Sequence, residues 1–156
     1  MDGRQLTVYL SGPMTGKTLE EASAWRDHAT AVLASHGLRV LSPMRGKTMS
    51  LPKGEPLKPG ASYKRASIRD EALFCRDRSD VKEADIVLCN LEGASAVSIG
   101  SVCEIIWANE FRRFLIVVLP KDGVHDHAFV RTAASVVVRS LDEALECVLE
   151  WAGVAL

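Results

Sequence analysis

Four short stretches of the chain carry residue types that could do chemistry. Ser98-Ile99-Gly100-Ser101-Val102-Cys103-Glu104 opens a predicted helix with a carboxylate about one turn in. A carboxylate facing a ligand cleft can attack or electrostatically support an electron-poor carbon, and Gly100 would let a sugar approach the backbone closely. Ser101 and Glu104 also fit a capping box, in which each side chain satisfies a backbone N–H of the first turn and nothing else. Asp77 is a candidate acid upstream, on a polar helix where a solvated face is the plain alternative. Asp80 lies nearby, and Asp85 falls at the wrong end of its strand for a site and reads as structural.

Gly12-Pro13-Met14-Thr15-Gly16-Lys17-Thr18 lies between a strand and a helix and nearly spells a phosphate-binding loop. It has three residues between its glycines where a P-loop has four, and a loop one residue short cannot wrap a phosphate with its own N–H groups. It reads as a loop lining some other polar ligand, or as a plain turn capped by Thr18. His125-Asp126-His127 has the spacing of two metal ligands, but no third ligand is apparent, and two solvent-exposed imidazoles are the simpler reading. No metal and no organic cofactor is expected.

The elements that must position these residues follow from periodicity. Leu6 to Leu10 reads as a strand ending at Ser11-Gly12-Pro13. Residues 18 to 36 read as a helix with Ala22, Trp25, Ala29, Val32 and Leu33 at helical spacing, closed by Gly37. Leu38 to Leu41 is a second strand. Residues 43 to 65 carry four prolines and three glycines and form a long loop of the kind that is usually functional. Residues 66 to 83 are helical, 85 to 89 a buried strand, 91 to 97 a small-residue loop, and 98 or 99 to 111 a helix. Strands over 114 to 119 and 135 to 138, a loop over 121 to 127 and a helix over 141 to 151 complete the chain.

Strands that alternate with helices and are themselves continuous apolar runs imply a parallel sheet covered on both faces. The expected fold is α/β, a flavodoxin- or Rossmann-like three-layer sandwich on a five-stranded parallel sheet, with residues 1 to 156 as a single domain. In such sheets ligands lie beyond the carboxyl ends of the strands. That singles out 11 to 17, 43 to 47, 91 to 104 and 120 to 129.

The composition narrows the partners. The 156 residues are 47% hydrophobic and 25% charged, with a net charge of −1. That balance argues against a nucleic-acid polymer or an anionic membrane. The first apolar run is too short for a signal peptide and no stretch is long enough to span a bilayer. The scattered cysteines (Cys75, Cys89, Cys103, Cys147) read as reduced thiols, so a cytoplasmic protein is expected.

Taken in order, Val8-Tyr9-Leu10-Ser11-Gly12-Pro13-Met14, Asp77, Ala84-Asp85-Ile86-Val87, Ser98-Ile99-Gly100 with Glu104, and the 126 to 130 loop resemble the nucleoside 2-deoxyribosyltransferase family. The resemblance runs from about residue 6 to residue 145. It implies that Glu104 is a nucleophile toward the anomeric carbon, that Tyr9 orients it, and that Asp77 contacts the base. It further implies that Ser11, Gly12, Pro13, Met14, Ser98 and Gly100 line the substrate. Asp126 and Ala128 would come from a neighbouring subunit near the sugar 5′ end, in a homodimer or a multiple of dimers. The partners would be a nucleoside and a free base.

The sequence departs from part of the family at Ser98, where some transferases carry an acid. A serine there is similar to the related nucleoside 5′-monophosphate N-glycosidases, in which it binds phosphate, and Lys17 could favour the same reading. A carboxylate at Asp126 would instead repel a phosphate and accept a hydrogen bond from a 5′-hydroxyl. The resemblance thus implies base exchange on nucleosides, with hydrolysis of 5′-monophosphates as the alternative and a non-catalytic nucleotide-binding module as a second. Ribose against 2′-deoxyribose and purine against pyrimidine stay open.

Overall fold

A computed structural model describes residues 3–47, 51–59 and 63–154. Its elements run β1 (Thr7–Ser11), α1 (Leu19–Ser35), β2 (Arg39–Leu41), a 3₁₀ turn (Ala66–Ile68), α2 (Asp70–Glu83), β3 (Ile86–Asn90), α3 (Ile99–Glu110), β4 (Phe114–Val118), α4 (Ala128–Ala133), β5 (Val136–Val138) and α5 (Leu141–Trp151). All five strands are parallel, in the order β2-β1-β3-β4-β5. This is the flavodoxin-like order, whose direction of winding reverses between β1 and β3.

Two apolar layers hold the sheet. Val8, Leu10, Ile86, Leu88, Ile116 and Val118 pack against α1 and α5. The alternate residues Tyr9, Val87, Cys89, Leu115 and Val117 face α2, α3 and α4. Because side chains alternate along a strand, Tyr9 and Ser11 both fall on the α3 side. No described helix is long and apolar enough to cross a bilayer.

Three local features differ from the sequence expectation. The helix expected over residues 66 to 83 breaks at Arg69, which is extended between the 3₁₀ turn and α2. The 121 to 127 loop is followed by a six-residue helix, α4, that its few residues and weak periodicity did not announce; His127 caps it by accepting from the Phe129 N–H. Of the expected 43 to 65 loop, residues 48–50 and 60–62 lie outside the described residues. From the rest of that loop Met44 and Leu57 turn inward, buried against Leu19 and Ala22 of α1, while residues 52–56 stay exposed.

The near P-loop is a turn. Thr18 and Glu21 form a complete capping box that starts α1, which uses the threonine in the helix rather than for a ligand. Gly12 is needed for a packing reason. A Cβ there would sit 2.7 Å from the Asn90 carbonyl oxygen and 3.0 Å from Trp25, so β1 and β3 can meet at their carboxyl ends only without a side chain. Behind it the Arg26 guanidinium is fully buried and donates to the Gly12 carbonyl at 2.7 Å.

Gly12→Ala is therefore expected to lower unfolding stability by about 1–3 kcal/mol, the usual cost of overpacking. Equilibrium denaturation in urea measures it. An unchanged midpoint would show that the β1–β3 junction has slack.

Candidate active site

Glu104 sits on a stripe of α3 that also holds Ser101, Ile105 and Ala108, all buried at helical spacing. The stripe lies on the Tyr9 face of the sheet. That places the carboxylate over the carboxyl end of β1, at the β1/β3 switch point. Tyr9 Oη donates to Glu104 Oε1 at 2.7 Å, and Ser11 Oγ donates to Oε2. The capping-box alternative for Glu104 is thereby overturned. The cap of α3 is Ser98, whose Oγ accepts from the Ser101 N–H at 3.3 Å, and the Glu104 carboxylate bonds to the sheet.

Glu104 is 7% exposed. Burial pushes its pKa up to about 7, and the charge of Asp77 pushes the same way, while the Ser11 and Tyr9 hydrogen bonds and the Arg26 charge pull it back. Tyr9 is held well above its ordinary value, chiefly by burial and then by the Glu104 charge, so it stays a donor. Cys89, pushed up to about 12 by burial, is a thiol beside Ser11 and takes no ionised role.

In front of the carboxylate is a cleft of about 350 Å³, bounded by Gly12, Met14, Asp77, Ser98, Gly100 and Ser101 among others. Asp77 is 9% exposed, which corrects the expectation of a solvated face. Asp77, Asp80, Val81 and Ala84 form the buried side of α2 and its cap. Burial raises the Asp77 pKa, against the nearby charges of Lys47 and Arg76. Arg76 donates to Asp77 at 3.2 Å and to the Pro43 carbonyl. At Gly100 a Cβ would meet no atom within 4 Å, so packing does not demand glycine there, and the bare backbone faces the cleft.

Other expected residues fall as follows. Gly12, Met14, Ser98 and Gly100 line the cleft, and Pro13 lines an adjoining recess with Lys17 and Ser98. Ser11 is fully buried behind Glu104, and its hydroxyl meets the carboxylate. Asp126 pairs with Arg131 and accepts from the Asp122 N–H at 3.3 Å, and Ala128 is exposed at the start of α4; neither lines the cleft of its own chain. Asp85 accepts from the Thr7 N–H at 2.9 Å and pairs with Arg4, as a structural group. Arg45, in the 43 to 47 stretch, donates to Asp80 at 2.8 Å.

His125 corrects the picture of two exposed imidazoles. It is 3% exposed and its Nε2 accepts from the Ser98 N–H at 2.8 Å, tying the 121 to 127 loop to the start of α3. Arg26 and Lys47 escaped the sequence reading. The signal for Arg26 was present: a cation on the buried stripe of Ala22, Ala29 and Leu33. Lys47 falls in the 43 to 47 stretch singled out beyond the second strand, but nothing in the sequence marks its burial.

The sequence profile described as nucleoside 2-deoxyribosyltransferase matches residues 8–144. No curated protein matches the chain. Solved structures that share the fold include three at low sequence identity. A CMP N-glycosidase of Clostridium botulinum is 17% identical, with a TM-score of 0.56 over 93% of this chain and 98% of that one. A 2-deoxyribosyltransferase of Bacillus psychrosaccharolyticus is 14% identical, with a TM-score of 0.62 over 89% and 90%. A molybdenum cofactor binding protein of Rippkaea orientalis is 13% identical, with a TM-score of 0.61 over 97% and 99%.

A buried carboxylate with a raised pKa destabilises the fold where it is ionised. Between its ordinary 4.5 and about 7 the folded chain binds more protons than the unfolded one, so this group's contribution falls as pH rises through that window and its penalty is complete above it. Glu104→Gln is thus expected to raise stability at pH 8 by roughly 1–3 kcal/mol, with the gain vanishing near pH 4–5. Thermal melts of both proteins across pH measure this. A loss of stability at pH 8 would mean that the charge itself supports the fold.

Proposed function

Since the chain belongs to the nucleoside 2-deoxyribosyltransferase family, we propose that it cleaves the N-glycosidic bond of a nucleoside through a covalent glycosyl–Glu104 intermediate and passes the sugar to a second base, with hydrolysis as a side reaction. One observation carries the reading: a buried carboxylate, gripped by Tyr9 and Ser11, faces a cleft that also exposes Asp77.

A Glu104 carboxylate oxygen adds to C1′ as the C1′–N bond breaks, and the bonding pair leaves with the base. Protonated Asp77 gives its proton to the departing base nitrogen, which its raised pKa favours. A nitrogen of an incoming base then attacks C1′, Glu104 leaves as carboxylate, and the surplus proton returns to Asp77. Water in place of the second base gives free sugar. Tyr9 and Ser11 spread the carboxylate charge and fix which lone pair points at the sugar. No step calls for a metal or an organic cofactor.

The 5′-monophosphate alternative draws on a specific observation. The Ser98 and Ser101 hydroxyls stand at the amino end of α3 in the cleft, beside the recess that Lys17 lines. The assembly reading draws on the apolar rim. Val97 and Ile99 are exposed at the cleft, and Phe129 on α4 is 75% exposed, a surface that a second copy would cover while bringing its Asp126 and Ala128 to the sugar.

Incubating the protein with ribo- and deoxyribonucleosides, their 5′-monophosphates and a second free base tests the reading. Base exchange on nucleosides is expected, falling at least about 10³-fold in Glu104→Ala with the fold retained. Cleavage of monophosphates alone would replace transfer by hydrolysis, and cleavage of neither would remove the catalytic reading. Because the nucleophile must be ionised, kcat/KM is expected to fall with acidification below about pH 7. Tyr9→Phe removes a donor to the carboxylate and is expected to move that limb to higher pH. A pH profile unchanged by Tyr9→Phe would disconnect Glu104 from the limb.

A further inference from the structure

Beside the cleft lies a second cavity of about 220 Å³, which shares Met14 and Thr15 with it. The volume equals the liquid share of about seven waters, the scale of one planar heterocycle. Its walls are mostly apolar, with Met44, Leu57, Ile68 and Leu73 prominent, and Lys47 is among its lining residues. Lys47 is 3% exposed. Among the described residues its ammonium finds neither a hydrogen-bond acceptor nor a salt-bridge partner, although its backbone is held by Met44 and Leu51. Burial lowers its pKa to about 8, and the charge that most counters this is Asp77, the candidate acid of the cleft.

The side chain is buried but its ammonium opens on the cavity, where among the described residues no acceptor meets it, and an apolar residue of the same length would need none. Asp77 favours a cation there by its charge but is bonded to Arg76 and not to Lys47. The group has three donors and no acceptor, so what it lacks is an oxygen or an unprotonated nitrogen supplied from the cavity.

We propose that Lys47 is a specificity-determining residue that donates a hydrogen bond to an exocyclic carbonyl oxygen of the base, so that the preferred substrates carry 6-oxopurines or 4-oxopyrimidines. This rests on the glycosidic reading of the cleft. An exocyclic amino group in the same place would bring donor against donor and leave the ammonium buried and unpaired, a kind of mismatch that polar sites reject strongly. Asp77, facing the same ligand, supplies the proton to the ring nitrogen while Lys47 holds the exocyclic oxygen.

The test pairs inosine with adenosine and deoxyuridine with deoxycytidine, on the wild type and on Lys47→Met. The expected kcat/KM ratio of oxo to amino substrate is tenfold or more in the wild type. In Lys47→Met it should fall toward one, through loss on the oxo member. Calorimetric binding of free hypoxanthine and adenine gives the same comparison without turnover, so it reads the base pocket even if no bond is cleaved. A melting temperature for Lys47→Met at or above the wild type's shows that the fold is kept. Equal binding of the two bases, a ratio near one in the wild type, or a preference that survives Lys47→Met would each overturn the assignment. Absence of cleavage with a Lys47-dependent preference for hypoxanthine would fail the catalytic reading and leave this one standing.

Discussion

The contact between the Glu104 carboxylate and the Tyr9 and Ser11 hydroxyls is the constraint on which the rest of the site depends. A carboxylate removed from water loses several favourable interactions, and only close donors restore enough of them to keep it ionisable near neutral pH. Two hydroxyls from one strand do so here because residues two apart on a strand share a face. The third support is indirect. Arg26, buried under the β1–α1 turn, contributes positive charge to Glu104 and Tyr9 and holds the turn by the Gly12 carbonyl. Its own burial lowers its pKa, a cost set against the two carboxylates and the tyrosine around it.

The strand order makes this arrangement possible. Tyr9 and Glu104 are 95 residues apart in the chain. They meet because β1 and β3 are neighbours and the helices that follow them leave on opposite faces of the sheet, which opens a crevice where the winding reverses. Gly12 lets the two strand ends close behind the crevice, since any side chain would strike the Asn90 carbonyl. His125 closes it from the other side by accepting the Ser98 N–H, so three loops converge on the start of α3.

The charges in the crevice are matched unevenly. Asp77 has Arg76 in contact and Lys47 nearby, whereas Lys47 has no acceptor among the described residues. Glu104 and Asp77 both rise in pKa for the same main reason, burial, yet only Glu104 has two hydroxyl donors to hold its ionised form. Two carboxyls in such different company are suited to different protonation states, one as base or nucleophile and one as acid.

The apolar runs and their alternation with helical stretches were enough, in the sequence alone, to establish a parallel α/β sheet. The order of the Val8–Met14, Asp77, Ala84–Val87, Ser98–Glu104 and 126 to 130 segments pointed to the family that the profile match shows. Those are local or serial properties: a buried strand must be apolar whatever its neighbours, and a motif keeps its spacing. Helix caps were less secure: Ser101 with Glu104 fitted a capping box, yet the path of the chain makes Ser98 the cap. The tertiary structure alone decided that Ser11 bonds to Glu104, that Asp77 is buried, that His125 accepts from Ser98 and that Lys47 lines a mostly apolar cavity. Each of these is a question of which distant surface covers a polar group. A side chain's type states what partners it can take, but burial and pairing are set by the segments that fold over it.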